Sequence, residues 1–238
     1  MDVTGSIALV TGANRGIGRR FVDELLVRGA AKVYATARRP ELVEVSDPRV
    51  EVLPLDLLDA QSVTDAAASA PDVTLLVNNA GIATRANLLT DDLDTIRLEL
   101  DTHVFGTLGV IRAFARVLAS NGGGAIVNIL SALSWFASEY GSSAYSVAKA
   151  AEWNMTNGLR LELAGQKTLV QGVHLGSADT DMMAGYDVPK IDPADVARAS
   201  LDGVQSGAIE VLVDDASRYV KASLAADPAQ FYAQSLTN

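Results

Sequence analysis

Ser6-Ile7-Ala8-Leu9-Val10 followed by Thr11-Gly12-Ala13-Asn14-Arg15-Gly16-Ile17-Gly18 joins a short, unbroken apolar run to a glycine-rich turn. A continuous apolar run of this length suits a strand buried on both faces, as in a parallel sheet. Beyond the turn, Ile17, Phe21 and Leu25 recur every four residues while Arg19, Arg20, Asp23 and Glu24 fall elsewhere, which is the spacing of an amphipathic helix. A glycine cluster between a strand and a helix can hold a pyrophosphate on its backbone N–H groups and on the helix N-terminus. Gly12, Asn14, Arg15, Gly16, Ile17 and Gly18 are therefore candidate dinucleotide-binding residues. The Gly-x-x-x-Gly-x-Gly spacing differs from the commoner Gly-x-Gly-x-x-Gly, and a tight turn without a ligand is the alternative reading.

The same alternation continues along the chain. Strand-like runs occur at 6–10, 32–37, 50–55, 73–77, 124–130, 168–174 and 208–213, with helical spacing around 61–69, 91–119, 143–164 and 193–205. Strands alternating with helices predict an α/β, Rossmann-type doubly wound fold: a mainly parallel seven-stranded sheet with helices on both faces. Right-handed crossovers then gather the loops after the strands along one edge, where ligands bind. No linker-like stretch divides the 238 residues, and 1–238 read as one dinucleotide-binding domain.

Composition narrows the function classes. A net charge of -10 and a pI near 4.6 oppose nucleic acid and anionic membrane surfaces as partners. The chain has no cysteine, which removes thiol catalysis, thiolate metal sites and disulfides, and fits a cytoplasmic location. The amino terminus lacks the pattern of a signal peptide. The uncharged stretch from Val117 to Ser138 is interrupted by Asn121, Gly122 to Gly124 and Asn128, so a buried strand between loops is expected there rather than a membrane span. His103 and His174 are the two histidines and make no metal site, and Asp179 and Asp181 read as loop and cap residues.

Two further features carry chemistry. Tyr145 and Lys149 are four apart, so on a helix they share a face, and the ammonium would favour ionisation of the phenol. A tyrosine so tuned can exchange a proton with a carbonyl or alcohol oxygen. At the end of the second strand stand Arg38 and Arg39, where many dinucleotide folds carry an acidic residue for the ribose 2'-hydroxyl. With Arg15 they could converge on a 2'-phosphate, which predicts NADPH/NADP+ rather than NADH.

The ordered set resembles the short-chain dehydrogenase/reductase family from Ile7 to about Val213. The glycine loop is similar to the family's T-G-x-x-x-G-x-G. Asp56-Leu57 resembles the acidic residue that contacts adenine, and Asn78-Asn79-Ala80-Gly81 matches N-N-A-G. The resemblance implies that Asn79, Ala80 and Gly81 border the cofactor. It makes Ser131 the catalytic serine, with Ser134 a second choice, Tyr145 the proton donor, and Lys149 the residue that binds the nicotinamide ribose and lowers the tyrosine pKa. Gly176-Ser177-Ala178-Asp179-Thr180 resembles P-G-x-V-x-T, with Gly176, Ala178 and Thr180 on the cofactor. Leu175 replaces the family proline. The family's Asn-x-x-Gly in the middle of the fourth long helix is here His103-Val104-Phe105-Gly106. His103 then substitutes in a proton relay, weakens catalysis, or is a packed helix residue.

By the same resemblance, a lid near 182–192 would cover the substrate. Leu133, Trp135, Phe136, Tyr140, Met182, Met183 and Tyr186 could wall an apolar pocket for an uncharged ketone or aldehyde. Trp153, on the helix after Lys149, is expected in the core or a subunit contact and does not add its bulk to that pocket. The tail from about 214 covers the pocket or another subunit. A homodimer or homotetramer through 91–119 and 143–164 is implied. The activity expected is NADPH-dependent reduction of a carbonyl, reversible as an alcohol dehydrogenase. The alternatives are a weakly active NADP-binding sensor and reduction of C=N or C=C bonds.

Overall fold

A computed structural model describes residues 1–137 and 142–233. Its seven strands are β1 (Ile7–Thr11), β2 (Lys32–Ala37), β3 (Val50–Pro54), β4 (Leu75–Asn78), β5 (Gly124–Ile129), β6 (Thr168–His174) and β7 (Glu210–Leu212). They form one sheet in the order β3-β2-β1-β4-β5-β6-β7, and each neighbouring pair is parallel. The sheet is thus parallel throughout, and its strand order reverses between β1 and β4, where the edge opens into a crevice.

Helices cover both faces. On one, α1 (Gly16–Val27) packs beside α6 (Pro193–Ser206), burying Phe21, Leu25, Val196 and Leu201 with the strand residues Ala8, Val10 and Val77. Arg28, at the end of α1, ties the two helices through Asp202 at 2.7 Å. On the other face lie α2 (Ala60–Ser69), α4 (Thr107–Ser120) and α5 (Ser143–Glu162), whose Val63, Ile111, Phe114 and Leu159 pack on Leu9, Leu76 and Ile126. Successive strand residues thus feed opposite cores, as the two-residue pleat requires.

The segment read as one helix over 91–119 is divided. α3 (Leu93–Leu100) passes into a π-helical stretch, Asp101–Gly106, before α4 begins. A π stretch admits an extra residue per turn and is a frequent device at functional sites. Here it turns His103 inward to full burial and Phe105 outward, while Gly106 lies close to Leu57, whose Cβ a side chain at 106 would approach at 2.9 Å. Helical periodicity on both flanks conceals such a bulge, which is why the sequence reads as continuous.

Two short helices, α7 (Asp215–Ser223) and α8 (Pro228–Phe231), form the tail. Phe231 packs edge-on to Phe136, with ring centroids 5.8 Å apart, and the Ala137 N–H donates to Tyr232 Oη at 3.0 Å. The tail therefore covers the loop after β5 of its own chain. Among the described residues no helix is long and apolar enough to cross a membrane.

Candidate active site

The loops after the strands enclose a cavity of about 1050 Å³. One end is built by the glycine turn. Gly12 has φ +67°, a left-handed conformation that favours glycine. The Asn79 amide donates to the carbonyls of Thr11 (2.9 Å) and Gly12 (3.2 Å), while Thr11 Oγ1 accepts from the N–H groups of Asn79 and Ala80. This lacing of β1 to β4 holds the turn open toward the cavity, which Gly12, Asn14, Arg15, Gly16 and Ile17 line. Thr180 packs on Gly16, its methyl 3.2 Å from where a Cβ would stand. Gly18 departs from expectation: it faces inward, not into the cavity. A Cβ there would lie 2.2 Å from Gly12 O and 2.5 Å from Asn79 Nδ2, so its role is the close approach of α1 to the turn.

Arg38 and Arg39 border the same end, with Asp56 and Leu57 beside them and Asn79, Ala80 and Gly81 along the floor. Arg15 does reach the cavity, but its guanidinium pairs with Asp181 at 2.8 Å, both groups being well exposed. Gly176 and Ala178 close the opposite wall. The Gly176 N–H donates to Asp214 Oδ2 at 2.7 Å, and Ala178 bridges to Ile191. A backbone cradle at a helix N-terminus, with two arginines close by, fits a dinucleotide that carries an additional phosphate.

Ser131, Tyr145, Lys149 and His103 meet at the middle of the cavity. Ser131 Oγ accepts from the Leu133 N–H at 3.1 Å, and its carbonyl accepts from His174 Nδ1 at 3.1 Å. Ser134, the second candidate, is buried beneath and accepts from the Ser131 N–H; it does not face the cavity. Lys149 Nζ lies 5.7 Å from the Tyr145 ring centre and donates to Ile129 O at 2.8 Å and to Glu152 Oε2 at 2.7 Å. His103 stands edge-on to Tyr145, ring centroids 5.3 Å apart, with Nε2 2.9 Å from Ile82 O and 3.4 Å from Glu99 Oε2, and Nδ1 3.7 Å from Glu152 Oε2. His103 is thus fully buried in the wall of the cavity beside Tyr145.

Burial outweighs Lys149, which does pull the tyrosine down, as expected. Burial pushes the Tyr145 phenol above its ordinary value; Lys149 and a hydrogen bond with Ser131 pull it down, and Glu152 and Glu99 push it up again, leaving it raised. Burial pushes the Lys149 ammonium down, but Glu152 and Tyr145 more than offset it and hold it above the usual lysine range. For Glu99, burial raises the carboxyl, yet hydrogen bonds from His103 and Thr84 outweigh burial and keep it below the carboxylate range.

His174 is structural, as expected, since it fixes the backbone of Ser131. Burial lowers it to about 4, against an ordinary 6.5. A histidine depressed when folded binds fewer protons than when unfolded between those values, so stability falls as pH drops from about 6.5 toward 4. The loss amounts to about 3 kcal/mol, from 1.36 kcal/mol per unit. Urea unfolding at pH 7 and 4 should show a stability decrease smaller by that amount in His174→Gln than in the wild type, and equal decreases would exclude this assignment.

On the substrate side, Leu133, Phe136, Met182, Met183 and Tyr186 line the cavity together with Arg85, whose guanidinium donates to Ala184 O at 3.1 Å and lies over the Tyr186 ring. Trp135 does not line the cavity: it stacks on His174 at 3.8 Å and meets Trp153 edge-on at 6.1 Å. Trp153 does not line the cavity either, and the two rings meet because the turn after Ser131 folds Trp135 back over α5. Tyr140 lies outside the described residues. Among the described residues no group of acidic or histidine side chains could hold a metal ion.

The family model for short chain dehydrogenases matches residues 6–189. The chain belongs to the short-chain dehydrogenase family. It is 39% identical to a short chain dehydrogenase from Burkholderia cenocepacia in complex with NADP, with a TM-score of 0.93 and 98% of each chain covered. A short-chain dehydrogenase from Streptomyces avermitilis is 26% identical, with a TM-score of 0.83 over 98% of this chain and 97% of that one. An uncharacterized oxidoreductase of Staphylococcus aureus (strain MW2) is 31% identical over 210 residues, 84% of this chain and 90% of the relative. This short-chain dehydrogenase is accordingly an oxidoreductase.

Sequence reasoning missed three contributors to the dehydrogenase site. Thr11 laces the glycine turn, and Glu99 and Glu152 surround His103 and Lys149. Glu152 was legible in principle, since it follows Lys149 by three residues on the same helical face. Glu99 was legible on the same ground, since it precedes His103 by four residues.

Proposed function

We propose that this short-chain dehydrogenase is an NADPH-dependent carbonyl reductase, reducing a ketone or aldehyde to the alcohol and able to run in reverse. The observation that carries the reading is a single cavity lined by Ser131, Tyr145 and Lys149 and by the glycine turn with Arg38 and Arg39. Gly12 to Ile17, Asp56, Ala80 and Thr180 would hold the dinucleotide. When bound, NADPH supplies the hydride that reaches the carbonyl carbon. Ser131 Oγ–H donates a hydrogen bond to the substrate oxygen, and Tyr145 Oη donates the proton that completes the alcohol. Lys149 stabilises the phenolate left behind until a proton returns, and it fixes the cofactor ribose. The walls formed by Leu133, Phe136, Met182 and Tyr186 favour an uncharged substrate with bulky apolar groups.

NADP in the 39% identical Burkholderia relative supports the choice of coenzyme, as does the absence of an acidic residue at Arg38 and Arg39. Arg38→Asp is expected to weaken NADPH binding at least about tenfold, a loss of about 1.4 kcal/mol, and to spare NADH. Titration of cofactor fluorescence measures both, and unchanged NADPH affinity would rule out the phosphate assignment. Phe105 and Val147, exposed apolar residues on the π stretch and α5, support a homodimer or homotetramer through these helices, which sedimentation would test. For the reaction itself, NADPH consumption is followed against ketones, aldehydes, enones and imines. Turnover confined to enones or imines, or to small charged oxoacids, would overturn the reading.

A further inference from the structure

Lys149 does not face its tyrosine alone. Glu152, one turn along α5, is buried with it, and the two are joined at 2.7 Å. The same Oε2 lies 3.7 Å from His103 Nδ1, and the other edge of that imidazole lies 3.4 Å from Glu99 Oε2. Glu99 is in turn held by the N–H and hydroxyl of Thr84 at 2.6 and 2.8 Å. A carboxylate, an imidazole and a second carboxylate are thus buried side by side next to the ammonium. The titratable groups facing Tyr145 are Lys149 and Glu152 from α5, Glu99 from α3 and His103 from the π stretch, with Arg85 across the cavity.

We propose that Glu152 is a positioning residue for Tyr145, acting through Lys149: its carboxylate holds the ammonium in place and offsets its charge, so the phenol keeps its proton through the neutral range and the site is set for proton donation. The inference deepens the carbonyl-reductase reading and rests on Tyr145 as the donor. Charge explains the direction. A lone ammonium beside a phenol would draw out its proton, and a carboxylate 2.7 Å from that ammonium weakens the pull without cancelling it. Burial adds to the effect, since no water intervenes to screen the pair. Burial is the largest cause of the upward displacement of Tyr145, and Glu152 adds to it. Glu99, anchored by Thr84, adds a second, smaller push in the same direction.

The test is a pH titration of phenolate absorbance in the unloaded protein. The spectrum of Tyr145→Phe is subtracted from that of the wild type, and Glu152→Gln/Tyr145→Phe from Glu152→Gln, to isolate one ring among six tyrosines. Glu152→Gln keeps the shape and a hydrogen-bond acceptor for Lys149 but removes the charge. Its Tyr145 midpoint is expected to fall by about one pH unit or more, and the alkaline limb of the carbonyl-reduction profile should move down with it. Glu152→Asp should restore the midpoint toward that of the wild type. An unmoved or higher midpoint in folded Glu152→Gln would overturn the proposal. If Glu152→Gln does not fold, Glu99→Gln decides, with a smaller downward movement expected and an unmoved midpoint fatal. Because the titration needs neither cofactor nor substrate, failure of this inference is separable from failure of the carbonyl-reductase reading, which would appear as absent NADPH turnover.

Discussion

Tyr145→Phe is expected to lower the rate of NADPH-dependent carbonyl reduction by about 10²- to 10⁴-fold, the usual worth of a positioned general acid, while NADPH affinity stays as in the wild type. Phenylalanine keeps the ring that meets His103 edge-on, so packing is preserved, and only the hydroxyl beside Ser131 is lost. The loss should fall on turnover rather than on KM, because the proton transfer it removes occurs in the transition state. Steady-state rates with the best substrate of the carbonyl panel, together with a fluorescence titration of NADPH, make the measurement. Wild-type turnover in this variant would remove Tyr145 from the chemistry.

Lys149→Met should be costly twice over. It leaves Glu152 as a buried carboxylate whose cation is gone. Breaking a buried pair from one side costs about 3–5 kcal/mol, which in a protein of this size lowers the thermal midpoint by roughly 6–20 °C. Turnover should be lost as well, because nothing then steadies the phenolate. The double variant Lys149→Met/Glu152→Leu separates the two effects. It is expected to recover much of the stability, since an apolar pair of similar volume replaces an ion pair, without recovering turnover. Calorimetry and NADPH consumption on the same samples decide, and a double variant as unstable as the single one would show that the cost lies elsewhere.

The parallel sheet and its crossover helices were legible because each depends on short-range pattern. Apolar runs such as Leu75–Val77 and Ala125–Ile129 become strands buried on both faces, and the stripe of Ile17, Phe21 and Leu25 becomes α1. The glycine turn was legible too, since Gly12 needs its left-handed backbone and Gly18 its missing Cβ. Gly18, though, was read as a ligand contact when it is a packing contact, because motif spacing does not say which way a residue faces. Trp135 was assigned to the substrate wall on proximity in sequence, but stacking on His174 turned it away.

The residue types and order alone determined that this chain builds a doubly wound sheet with a dinucleotide cradle, and that Tyr145 and Lys149 share a helical face, because strand pleat and helical turn are set by backbone geometry within a few residues. Only the tertiary structure decided what surrounds that pair. Glu99 and His103 are neighbours four residues apart, but they are brought against Glu152 and Lys149 by the packing of α3 and the π stretch on α5. Buried charge acts through space and not along the sequence, and whether the lysine or the carboxylates prevail at Tyr145 depends on those distances.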